Sequence, residues 1–173
     1  MDKGEATLIA ALVAASASVL KLFLDYFSAG RENHRELLQP LLMELGEAIY
    51  GVVATSNIIS KARSDEAFSN ASIKAKAEQK RLKDLRPKLR YPLWGLDEGV
   101  RVLTRLPDWV SHVRRSPQKL EKLLKQADAL RSAIDRVAFA CYRAGRTPTR
   151  LESWKIRIRA WRCRRTYGVS HGE

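Results

Sequence analysis

Ala6-Thr7-Leu8-Ile9-Ala10-Ala11-Leu12-Val13-Ala14-Ala15-Ser16-Ala17-Ser18-Val19-Leu20-Lys21-Leu22-Phe23-Leu24-Asp25-Tyr26-Phe27 is a run of 22 residues with only two charges, both near its end. It lacks Gly and Pro and is rich in Ala and Leu, the residues that cost least in a helix. At 1.5 Å per residue the run spans about 33 Å, enough for a hydrocarbon core of about 30 Å. Lys21 and Asp25 can snorkel or pair at one end, and Tyr26 and Phe27 suit an interface. A transmembrane helix is the expectation.

This helix has two faces. Ile9, Val13, Ser16, Leu20, Phe23 and Phe27 follow one helical line and are mostly bulky. Thr7, Ala11, Ala14, Ser18, Lys21 and Asp25 follow another and are small or polar. In lipid, small side chains let a second helix approach closely, so Ala11, Ala14 and Ser18 predict self-association or a protein partner helix. In water the same pattern describes an amphipathic core helix, which is the alternative. A cleaved signal peptide fits less well. Ala15-Ser16-Ala17-Ser18 resembles a cleavage region, but Met1–Glu5 sets two acids against one lysine, the wrong charge for secretion.

Working outward, the charge is uneven. Of a net +13, residues 1–60 contribute −3 and residues 61–173 contribute +16. Arg31 and Arg35 follow the apolar run while only Lys3 precedes it, which puts the C-terminal bulk in the cytoplasm with the N-terminus outside. A soluble cytoplasmic chain is the alternative localisation. Two isolated cysteines, Cys141 and Cys163, suit a reducing compartment. So large a positive charge implies an anionic partner: lipid headgroups, an acidic protein or nucleic acid.

With 9 Gly and 6 Pro in 173 residues there is little turn material, and the expectation is all-α. Leu37, Leu38, Leu41, Leu42, Leu45, Ile49, Val52, Val53 and Ile59 form a wide apolar stripe, with Pro40 marking a helix start or kink. Residues 62–72 read as a loop, and 73–86 as a polar, exposed helix. A short helix over 93–106 offers Trp94, Val100, Leu103 and Leu106 for packing. Ser116-Pro117 opens the clearest helix: Ser suits the N-cap and Pro the first turn. Its stripe is Leu120, Leu123, Leu124, Ala127, Leu130, Ile134, Val137, Ala138 and Cys141, and Gly145 ends it. This helix and the 37–59 helix are expected to pair antiparallel in a small bundle.

Thr149-Arg150-Leu151-Glu152 is a capping box that starts a last helix. Leu151, Trp154, Ile158 and Trp161 share one face; Lys155, Arg157, Arg159, Arg162, Arg164 and Arg165 fill the rest. Three readings follow. The apolar stripe completes the bundle core, or the helix lies on an anionic lipid surface, or the arginines contact nucleic-acid phosphates.

The expected organisation is an apolar helix over 1–30, a helical bundle over 31–146 and a basic amphipathic helix and tail over 147–173. Chemistry is sparse. No phosphate-binding glycine loop or nucleophile elbow is present. His34, His112 and His171 are far apart; His112 lies four residues after Asp108, but a third metal ligand is missing. Asp97 and Glu98 read as local partners of Arg101. No family motif is recognisable. No catalytic, cofactor or metal site is expected, and the predicted function is a non-enzymatic, membrane-associated adaptor or complex subunit. The alternatives are a soluble all-α nucleic-acid-binding protein, and a subunit whose partner covers the first helix.

Overall fold

The computed structural model describes the backbone of residues 3–168 and the side chains of residues 28–168. It is all-α: α1 (Lys3–Lys61), α2 (Asp65–Leu89), a 3-10 turn (Trp94–Leu96), α3 (Asp97–Thr104), α4 (Leu106–Val113), α5 (Pro117–Ala144) and α6 (Arg150–Tyr167).

α1 is unbroken for 59 residues, about 89 Å of helix. It passes through Pro40, which therefore does not start a helix. Pro40 is exposed, and the backbone stays helical through it. From Ser28 to Leu37 every side chain is exposed except half-buried His34; Leu38 is the first buried residue of the described part. From there Leu38, Leu45, Ala48, Ile49, Val52 and Ile59 face inward. Each such aliphatic side chain stabilises the fold by about 2 kcal/mol relative to exposure.

α2 corrects the reading of 62–72 as a loop. Only three residues, 62–64, separate the helices. Ser64 caps α2 by accepting from the Ala67 amide at 3.2 Å, and Asp65 and Glu66 complement the positive helix N-terminus. Nor is α2 a bystander. Ala71, Ala75, Gln79, Leu82, Leu85 and Leu89 are buried in one line, and the bundle lies against that line. Two cross-pairs, Arg81–Glu47 at 2.6 Å and Lys88–Glu44 at 3.5 Å, fix α2 antiparallel to α1.

α3 and α4 form one interrupted rod. The break falls at Arg105 because Pro107 lacks an amide hydrogen and would crowd the carbonyl four residues earlier. Gln79 ties this break to α2, donating to the Thr104 carbonyl at 2.8 Å and to Asp108 Oδ2 at 3.0 Å.

α5 was legible in outline: Leu123, Ala127, Leu130, Ile134, Ala138 and Cys141 are buried. Gly145 ends it with φ +59°, and its α-carbon lies so close to the Arg31 backbone that a side chain there would collide. The C-terminus of α5 therefore meets α1 at Arg31 and Arg35, so α5 runs antiparallel to α1, as expected. α6 then turns back. It runs alongside α3, with Ser153 against Gly95 and Ile156 against Gly99, and ends where Tyr167 stacks on Trp109 at 5.1 Å. The five rods run up, down, up, down, up.

One described helix is long and apolar enough to cross a membrane, and it is α1. Within Ser28–Lys61 its most apolar 18 residues have a mean hydropathy of 1.3. α2 to α5 pack on one side of it, and 28% of that apolar stretch is buried. The 6–27 run lies outside the described side chains, as do Ala11, Ala14 and Ser18.

Candidate functional site

The basic C-terminal helix is the segment whose placement bears most on function. It is held by its N-terminal cap. Thr149 Oγ1 accepts from the Glu152 amide at 3.3 Å, and Glu152 Oε2 accepts from the Thr149 amide at 2.8 Å. Arg146 adds a two-pronged contact to the same carboxylate, both donors at 2.8 Å. Arg146, helped by both donors of Thr149, holds the Glu152 carboxyl down to about 2 against the cost of partial burial.

The inward face of α6 is Ser153, Ile156, Ala160 and Cys163. The expectation that Leu151, Trp154, Ile158 and Trp161 complete the core is therefore overturned. Leu151 is 60% exposed, Trp154 58% and Trp161 41%, and Ile158 is half-buried. The reason is steric. α6 lies close to the 3-10 turn at Gly95 and to α3 at Gly99, and only Ser, Ala, Cys or a single Ile fits at that separation. The bulky stripe is left on the outside.

The six cations divide. Arg159 donates to the Ala129 carbonyl of α5 at 2.8 Å, and Arg164 pairs with Glu98. These two fasten α6 to its neighbours. Lys155, Arg157, Arg162 and Arg165 are exposed and have no ion-pair partner among the described residues, and Arg150 joins them. Arg165 lies over the Trp161 ring at 5.3 Å, a geometry in which the cation meets the negative ring face. The nearby acids are all engaged: Glu152 with Arg146, Asp97 with Arg86 at 2.9 Å, and Glu98 with Arg101 and Arg164.

The sequence offered Trp94 for packing, and the structure instead leaves it partly exposed. It is 40% exposed and lines, together with Trp161, Asp97, Glu98, Arg157 and Arg164, a cleft of about 360 Å³. The signal was Gly95: beside a small residue the chain can press its backbone against α6 and turn the preceding indole outward.

Elsewhere, the Asp108/His112 spacing does not make a ligand pair. His112 Nδ1 sits 2.6 Å from the Asp108 backbone carbonyl, while the Asp108 carboxylate accepts from Gln79. Among the described residues, no three His, Cys, Asp or Glu side chains cluster as metal ligands. Burial pushes both thiols up, Cys141 to about 11 and Cys163 to about 12.

Compared with protein-family models, with curated proteins and with solved structures, the chain matches none.

Proposed function

We propose that the chain is a non-enzymatic, membrane-anchored adaptor. The N-terminal part of α1 crosses the bilayer and associates with a second helix through Ala11, Ala14 and Ser18. The bundle stands in the cytoplasm, and the outer face of α6 receives a partner.

One observation carries this reading: the continuity of α1. The helix is about twice as long as α5, the longest helix packed on it, at 59 residues against 28. Between its buried part and the apolar 6–27 run lies the exposed, polar 28–37 stretch. An apolar run at the end of a helix about twice as long as its packed neighbours calls for a cover, and a bilayer is such a cover.

The direction of α6 bears on its target. α6 begins near the Arg31 end of the bundle and runs away from it for about 27 Å. If α1 stands across the membrane, that direction supports a partner in the aqueous phase over the lipid surface itself.

Fractionation with engineered charges tests the anchor. An arginine at the bilayer centre costs about 3 kcal/mol. Leu12→Arg combined with Val19→Arg should move the chain from the membrane to the soluble fraction, and an unchanged distribution argues against insertion. Ala14→Leu with Ser18→Leu should reduce cross-linking through the small-residue face.

A second reading is favoured by the unpaired cations beside exposed indoles. A soluble nucleic-acid-binding protein would use the former for phosphates and the latter for base stacking. It predicts retention on DNA or RNA that falls steeply with salt and a flatter slope when Arg162 and Arg165 are removed.

A further inference from the structure

We propose that the outer face of α6, with the Trp94–Trp161 cleft at its edge, docks an acidic amphipathic helix of another protein; this rests on the adaptor reading and names its partner by chemistry.

Three features of the face select that occupant. Leu151, Trp154, Ile158 and Trp161 are spaced 3-4-3, so they form a seam about 15 Å long down one side of a helix. Such a seam fits the i, i+3, i+7 apolar anchors of a partner helix. Exposed tryptophans in a seam are the side chains that dominate interface energies when covered.

Charge gives the second selection. Arg150, Lys155, Arg157, Arg162 and Arg165 surround the seam, and every acid beside them is already engaged within the chain. A partner whose apolar stripe is flanked by Asp and Glu meets this pattern point for point. A phosphate backbone would engage the same cations but leave Leu151 and Ile158 with no role, because backbone contacts are polar. The cleft adds shape. Its lining of Trp94, Trp161 and the exposed Arg157 suits one large side chain at the end of the seam.

The test uses the full chain in nanodiscs of neutral phosphatidylcholine. The probe is a synthetic 20-residue helical peptide with leucines on one face and glutamates on its flanks; a peptide of the same composition in scrambled order is the control. Saturable binding with a blue shift of tryptophan emission is expected for the amphipathic peptide, and binding at least about 10-fold weaker for the scrambled one. Trp154→Ala and Arg162→Glu should each weaken binding about 10-fold with circular dichroism unchanged. Lys122→Glu, the same charge change on the exposed side of α5, should leave binding within about twofold.

Equal binding of the scrambled peptide, or equal loss from Lys122→Glu, would overturn the inference, because either makes the effect one of net charge. Tighter binding through the same residues to a 20-nucleotide single-stranded RNA, or to phosphatidylserine vesicles, overturns it as well. An inserted chain that ignores the peptide sinks this inference alone. A chain that proves soluble yet binds the peptide sinks only the anchor.

Discussion

Glu152→Gln isolates the contact that sets α6 in place. The substitution keeps the shape of the side chain and an oxygen able to accept from the Thr149 amide, so the cap survives; it removes the charge that Arg146 grips with two donors at 2.8 Å. The wild-type carboxyl is held from its ordinary 4.5 down to about 2. Each factor of ten in acidity corresponds to about 1.4 kcal/mol, which sets an upper bound near 3 kcal/mol. The Glu152 side chain is 21% exposed and Arg146 38%, so solvent screening lowers the expected loss to about 2 kcal/mol at pH 7. Because the folded carboxyl is the more acidic, the contribution is complete above about pH 4.5 and drains away as the pH falls towards 2. Urea titrations followed by far-ultraviolet circular dichroism, in one detergent throughout, should show the variant about 2 kcal/mol less stable at pH 7, with the gap shrinking below about pH 4.5 and closing only as the pH falls below about 2. A gap under about 0.5 kcal/mol at neutral pH, or one that does not shrink in acid, refutes the reasoning.

Ile134 is fully buried, and its side chain fills the space over Gly99. Ile134→Ala should cost about 2–5 kcal/mol in the same urea assay, and a cost under 1 kcal/mol would mean that α3 and α5 are not packed as described. Trp154→Ala should by contrast change stability by no more than about 0.5 kcal/mol, since the indole faces solvent; a large loss would put that ring in the core. Cys141 and Cys163 are buried and their thiols titrate far above neutrality. Ellman's reagent at pH 8 should leave both unmodified in the native chain and react with both after denaturation, and rapid native labelling would contradict their burial.

The periodic parts of the chain were readable from the residues. The α5 stripe gave its buried line from Leu123 to Cys141. The Thr149–Glu152 capping box formed bond for bond, because a cap is a local contact that needs no knowledge of the rest of the fold. What escaped were contacts made by small side chains. Ala71 and Ala75 add little to an apolar count, yet they let α2 lie against α1, so α2 looked like an exposed polar helix. On α6 the apolar stripe and the buried face are different faces. Ser153, Ala160 and Cys163 are buried because Gly95 and Gly99 bring the 3-10 turn and α3 close, a pairing between segments some 60 residues apart that neither segment reveals alone. Pro40 does not start a helix: it is exposed, and α1 runs through it.

The central claim is that the apolar opening of α1 is covered by lipid. Whether the purified full-length chain stays in solution without detergent tests it most directly. Once detergent is removed the chain should sediment as aggregate, and in micelles or nanodiscs it should stay dispersed. A monodisperse monomer in plain buffer, as read by light scattering, would contradict it.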